Sequence, residues 1–202
     1  MSAVQSRLSL ILLLSYWSVS SVAQAQSDRS EPLAQGEVCE RTADMPAALK
    51  MDHYRSATPD CVLGGKTIHT EQLQNLLQQD EPPILIDVWA ILRRAEEGFG
   101  SEWLPNKKHY SLPNTVWLPN VGYGLIPPDM EIYLSEQLHE LTAANKQHPL
   151  VFFCVADCWM SWNAVQRAAE LGYTNVYWYK NGIDGWQEAG LPLEEVHPVP
   201  VM

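Results

Sequence analysis

Positive charge is scarce in this chain: 13 lysines and arginines stand against 24 acids, for a net charge of −11. Such a surface repels phosphate backbones and anionic lipid, which argues against nucleic-acid binding and favours basic partners or none. Plain solubility accounts for the same imbalance. Also missing are a glycine-rich phosphate loop, a Gly-x-Ser-x-Gly elbow, a His-x3-His metal helix and a basic patch interleaved with aromatics. Those absences remove the usual sequence devices of nucleotide, acyl-transfer, helix-borne metal and RNA chemistry. There is no internal repeat and no low-complexity tract. No apolar run reaches the roughly 20 residues needed to span a bilayer.

The longest apolar run, residues 8–22, is broken by serines and follows a short positive start from Met1 to Arg7. It ends in Val22-Ala-Gln-Ala-Gln26, whose Ala-x-Ala fits leader cleavage after Ala25. The pattern predicts a secretory signal peptide over residues 1–25, a periplasmic destination and no membrane span after cleavage; an uncleaved anchor is the alternative. Cleavage removes one arginine and no acid, so the mature chain is one unit more negative.

All four cysteines, Cys39, Cys61, Cys154 and Cys158, lie beyond the leader. In an exported protein an even count suggests disulfides, and four cysteines permit three pairings. The pairing expected is Cys39 with Cys61, a structural staple, with Cys154 and Cys158 left as a local pair.

Prolines, the Gly64-Gly65 pair and scattered charges make residues 26–66 an irregular N-terminal extension, with a turn of helix near residues 46–51. Residues 67–193 then alternate strand and helix. Thr70 caps a helix through Gln79; residues 84–88 form a buried strand; residues 89–112 form a long surface loop; residues 115–118 form a second strand. A helix starts near Asp129, residues 150–153 form a third strand, and a helix runs from Ser161 to Leu171 with Gly172 as its stop. Residues 175–179 form a fourth strand, a short helix follows Gly182, and residues 194–202 are a loose tail. This alternation predicts an α/β fold, a parallel sheet with helices on both faces. Arg93, Arg94, Lys107 and Lys108 belong to a solvated loop or dock an acidic partner.

The stretch Cys154-Val-Ala-Asp-Cys-Trp-Met-Ser-Trp-Asn163 lies where a buried strand hands over to a helix. First-turn amides without intrahelical partners point at such a turn, and they lower a thiol below its free value of about 8.5. One of the two sulfurs is therefore a candidate nucleophile, and the other is close enough in sequence to pair with it. An inert strand-to-helix disulfide is the bland alternative. Metal binding is a weaker one, because the pair offers two ligands where a structural zinc wants four. Asp157 is a candidate proton relay or a helix cap. Trp159, Met160, Ser161 and Trp162 are candidate substrate contacts, with the tryptophans equally suited to a core.

Several segments together resemble a rhodanese domain. Leu85-Ile-Asp-Val88 resembles the strand carrying that family's aspartate, Leu112-Pro-Asn-Thr-Val-Trp-Leu-Pro119 its second conserved segment, and Phe153-Cys154 the end of its active-site strand. Leu171-Gly-Tyr-Thr-Asn-Val-Tyr177 and Gly182-Ile-Asp-Gly-Trp186 complete the pattern. Trp117-Leu-Pro-Asn-Val-Gly122, Asp157-Cys-Trp-Met-Ser-Trp-Asn-Ala164 and Tyr177-Trp-Tyr179 resemble the narrower group of PQQ-dependent catabolism-associated CXXCW motif proteins.

The resemblance implies a rhodanese-like fold. It also implies that Cys154 is the sulfur that becomes a persulfide and that Asp87 is the family's strand-end acid, an organiser of nearby loops; Cys158 has no counterpart in a simple rhodanese, and as a neighbouring thiol it can resolve that persulfide. The activity implied is that of a sulfurtransferase or a thiol–disulfide carrier. No covalently bound cofactor and no metal are expected. The narrower group implies an indirect link to PQQ, with a periplasmic quinoprotein dehydrogenase or c-type cytochrome as partner. A non-catalytic accessory protein that binds the dehydrogenase, its cytochrome or the quinone is the competing class. One departure matters: the arginine that usually ends the rhodanese loop is replaced by Trp159 or Met160, and no Lys or Arg occurs between Cys154 and Gln166. A loop of that kind is expected to repel thiosulfate.

Overall fold

The computed structural model of the chain describes residues 37–41, 45–96 and 100–201. The expected leader, residues 1–25, lies outside them. A six-stranded sheet forms the centre. Its strands are β1 (Glu37–Val38), β2 (Lys66–Ile68), β3 (Ile84–Asp87), β7 (Val116–Trp117), β8 (Leu150–Phe153) and β9 (Val176–Tyr179). Their order is β1-β2-β9-β8-β3-β7, all parallel except β1, which runs antiparallel to β2. Strand β8, which leads to the cysteines, is therefore central and buried at all four residues.

Four helices cover the sheet: α1 (Thr70–Leu76), α2 (Pro128–Leu141), α3 (Trp159–Glu170) and α4 (Gly182–Glu188). Side chains alternate along each strand, so neighbouring residues feed opposite faces. Phe152, Trp178 and Ile86 join α2 and α3 residues in one apolar cluster, while Val151, Phe153 and Tyr179 join α1 and α4 residues in the other. Helices thus lie on both faces of a mainly parallel sheet, as the strand–helix alternation implied. Among the described residues no helix is long and apolar enough to cross a membrane.

Besides β1 and β2, which the sequence reading did not anticipate, three segments differ from the sequence expectation. Residues 89–112 are not simply a loop: they hold the antiparallel hairpin of β4 (Leu92–Glu96) and β5 (Gly100–Leu104), then β6 (His109–Ser111). The hairpin pairs Arg94 with Glu102 across its strands, and Arg93 binds Asp129 of α2. Charged cross-strand partners give no apolar alternation, so such strands read as loop. The tail is not loose either. Strand β10 (Glu194–Val196) pairs with β6, Lys108 meets Glu195 at 2.7 Å, and Val199 donates its amide to Trp117 O at 3.0 Å. Its carbonyl takes hydrogen bonds from Trp103 Nε1 at 2.7 Å and Tyr133 Oη at 2.8 Å. Finally, residues 46–51 form bends and no helical turn.

Residues 45–62, which we call the strap, lie across α3. Trp159 donates its amide to Tyr54 O at 2.9 Å and its indole N–H to Ser56 Oγ at 3.0 Å. Trp162 donates its indole N–H to Cys61 O at 3.0 Å. Asn163, fully buried, exchanges two 2.8 Å hydrogen bonds with the backbone of Lys50 and donates a third to Gly122 O. With sheet on one side and strap on the other, nine of the twelve α3 residues are buried. That explains its apolar first turn, which an exposed helix start would not carry. The strap is fastened by the Cys39–Cys61 disulfide, which spans 22 residues.

Candidate active site

Strand β8 delivers Cys154 and α3 begins at Trp159, two residues before the expected start. Cys158 therefore occupies the N-cap position. The three-residue turn between the two cysteines is held from two sides. Ile183 of α4 donates its amide to Cys154 O at 2.9 Å, and Asp184 Oδ2 accepts the Ala156 amide at 3.0 Å. Gly182 permits this approach: with φ +57°, a Cβ there would lie 2.6 Å from Cys154 O and 2.7 Å from Val155 C. On the other side Arg55 forms an antiparallel backbone bridge with Cys158. Asp157 adopts φ +52° and is exposed; its Oδ1 accepts the amide and hydroxyl of Thr58 at 3.3 Å each. It thus faces the strap and is absent from the lining of the sulfur cavity.

Both cysteines are free thiols, 1% and 3% exposed. Burial pushes the Cys154 thiol well up; its hydrogen bond towards Cys158, the charge of Cys158 and the charge of Asp87 act in the same direction. Cys158 is held below the ordinary thiol range, first because Cys154 donates towards it. The amides of Met160 and Ser161 and the charge of Arg55 add to this, against the cost of burial. The two thiols are thus shifted in opposite directions, Cys154 upward and Cys158 downward.

A cavity of about 220 Å³ opens on both sulfurs, walled by Tyr54, Arg55, Trp89, Ala90, Tyr123 and Met160. Of the four expected substrate contacts, Met160 lines it. Trp159 and Trp162 stack edge-to-face at 5.1 Å and are bonded to the strap, and Ser161 Oγ donates to Cys158 O and accepts the Trp178 indole N–H, each at 3.0 Å. A larger cavity of about 410 Å³ lies beside the first and shares Trp89, Ala90 and Tyr123 with it.

Asp87 ends β3 and is fully buried. Its Oδ1 accepts the Trp89 amide at 2.8 Å; its Oδ2 accepts Ser111 Oγ at 2.8 Å and contacts His109 Nε2 at 2.7 Å. The His109 ring lies between Trp89 and Trp117, with centroids 6.0 and 4.3 Å away. One carboxylate therefore fixes the loop after β3 and strand β6 together, and both border the larger cavity. Among the described residues no group of three or more His, Cys, Asp or Glu side chains converges as metal ligands would.

Sequence reasoning missed Arg55, Tyr54 and His109. The only signal for Arg55 was indirect, a cysteine turn with no cation of its own; nothing in residues 26–66 marks which basic residue would supply one.

Three comparisons bear on kinship. Among solved structures, thiosulfate sulfurtransferase from Pseudomonas aeruginosa is 20% identical over 66% of this chain and 21% of that one, with a TM-score of 0.45. An EanB variant in complex with hercynine is 19% identical over 66% of this chain and 32% of that one, with a TM-score of 0.44. Wild-type EanB gives 19% and a TM-score of 0.41 at the same coverage. The chain thus spans a fifth to a third of the length of these structures. No curated protein matches it. A family model described as "Rhodanese-like domain" matches residues 69–189, more than half of the chain. This chain belongs to the rhodanese-like family.

Proposed function

We propose that this chain is an exported sulfur carrier in which Cys158 and Cys154 act in turn, one as nucleophile and the other as resolving thiol. The single observation behind this reading is the electrical inequality of two free, adjacent thiols on one cavity. A thiolate attacks and a neighbouring thiol resolves. The downward shift of Cys158 supports its making the first attack; the family resemblance implies the opposite order, with Cys154 carrying the persulfide.

The Cys158 thiolate attacks the sulfane sulfur of a donor; a new S–S bond forms, and the donor's remainder leaves with the electron pair. Cys154 then attacks the inner sulfur of the Cys158 persulfide. A 154–158 disulfide forms, hydrosulfide leaves, and the proton of Cys154 leaves with it. An external dithiol reduces the disulfide and restores the pair. Stopping after the first step makes the protein a persulfide donor; completing the second makes it a thiol–disulfide carrier.

The Ala-x-Ala motif after the apolar run supports export to the periplasm, with cleavage after Ala25. The CXXCW resemblance supports a role alongside PQQ-dependent alcohol oxidation, with a quinoprotein dehydrogenase or c-type cytochrome as the partner. Mass spectrometry of the mature protein, before and after incubation with thiosulfate, tests the reading. Wild type should gain one sulfur or lose two hydrogens, Cys154→Ser should accumulate the persulfide, and Cys158→Ser should do neither. A Cys158→Ser strain that still grows on the alcohol would overturn the sulfur reading in favour of an accessory binding protein.

A further inference from the structure

The cysteine turn has no cation from Cys154 to Gln166, and acids surround it. Asp87 acts on Cys154 through space, Asp157 holds Thr58, and Asp184 holds the Ala156 amide. An anion approaching this turn is repelled unless a positive charge intervenes. Arg55 is placed to intervene. Its backbone is bridged to Cys158, and the Trp159-to-Tyr54 hydrogen bond fixes the neighbouring residues. Its guanidinium lies 6.0 Å from the centroid of the Trp89 ring, at the wall of the cavity that holds both sulfurs. The other walls are aromatic or apolar, so Arg55 is the charged residue among them. Among the described residues no carboxylate forms an ion pair with it.

We propose that Arg55 is the specificity-determining cation of the cysteine cavity, admitting sulfur donors that carry negative charge next to their sulfane sulfur and discriminating against neutral ones. The inference rests on the reading of Cys158 as the attacking sulfur. It revises the expectation that the acidic turn repels thiosulfate, because the missing charge arrives from the strap, outside residues 69–189 of the family match. With thiosulfate, the Cys158–sulfur bond forms, the donor's S–S bond breaks, and sulfite leaves with the electron pair. Arg55 faces the charge that sulfite carries away.

Two alkylating probes of nearly equal shape isolate the charge effect: iodoacetate, an anion, and iodoacetamide, which is neutral. Each forms a thioether at Cys158 and releases iodide with the bonding pair. Rate constants are measured at a pH where ultraviolet absorbance shows the thiolate fully formed, and peptide mass spectrometry verifies the alkylated residue. One charge beside a partly solvent-screened reacting group is worth roughly tenfold in rate. The iodoacetate-to-iodoacetamide ratio should therefore fall about tenfold in Arg55→Gln and be retained in Arg55→Lys. An unchanged ratio in Arg55→Gln, or an equal fall in Arg55→Lys, would overturn the proposal.

If Arg55→Gln does not fold, protection of the wild type by an unreactive anion decides. At constant ionic strength, sulfate, an unreactive divalent anion, must slow iodoacetate saturably by occupying the site beside Arg55 in place of the incoming carboxylate, and absence of protection sinks the idea. Persulfide formation from thiosulfate is scored separately. A ratio that shifts without any persulfide leaves Arg55's selection of anions standing and removes the sulfur-transfer reading.

Discussion

At the scale of single residues, the chain places two identical side chains four positions apart and makes them chemically different. Cys154 ends a buried strand near the charge of Asp87, which favours its neutral form. Cys158 starts a helix and receives a donor, two oriented amides and the field of Arg55, which favour its anion. Because the Cys158 value is depressed in the fold, its thiolate persists below the usual thiol range and is lost only as pH falls through the lowered value. Alkylation of the reduced protein should therefore show one fast thiol whose rate midpoint lies below that of a free cysteine, and one slow thiol. Replacing Cys154 with alanine removes the largest stabilising partner, so the Cys158 midpoint should rise. A midpoint that stays put would mean that the helix amides and Arg55 do the whole work. The location of the pair was legible from a strand-to-helix junction bearing two cysteines. Which of them ionises was not, because the answer lies in Asp87 and Arg55, residues distant in sequence, and in a helix that starts two residues early.

Among elements, the turn between β8 and α3 depends on its neighbours for shape. Helix α4 supports it through Ile183 and Asp184, and Gly182 makes the close approach possible. A methyl group at Gly182 meets backbone, not a flexible side chain, and occupies a left-handed φ as well. Gly182→Ala should cost about 1–3 kcal/mol in urea unfolding and should also slow the fast thiol, because the turn has to shift. A loss of stability with unaltered alkylation would show that the turn is independent of α4. Periodicity gave most elements: β8 matches the expected 150–153, and β3, β7 and β9 fall close to the expected runs, whereas the short β1 and β2 carried no such signal. The hairpin of β4 and β5 escaped because its strands are held by charge pairs and by Trp103 packing, without apolar alternation. Likewise β10 is an exposed three-residue strand whose pairing with β6 leaves no periodic trace.

For the molecule as a whole, the strap converts an irregular leading segment into one wall of the candidate site. Its hydrogen bonds to Trp159, Trp162 and Asn163 cover the helix face that the sheet leaves open. The Cys39–Cys61 pairing, expected from the cysteine count and present in the fold, closes the loop that contains it. A double Cys39→Ala, Cys61→Ala variant loses a cross-link over 22 residues, for which chain entropy gives about 3 kcal/mol. That deficit should appear as a lower urea midpoint with an unchanged slope. A steeper slope would point instead to a more expanded unfolded chain. Nothing in the composition of residues 26–66 announced that this segment reaches the cysteines, because its contacts run through backbone groups and single polar atoms.

The same arrangement sets an order of assembly. The ribosome releases Lys50 long before Asn163, its partner 113 positions later. Both ends of the Cys39–Cys61 bond exist before either half of the reactive turn is made. In an oxidising compartment the front of the chain could be covalently closed first and would then wait for the helix it will cover. The cysteine cavity is therefore finished late, by a segment made early, because Tyr54 and Arg55 cannot wall it until Cys154 and Cys158 exist.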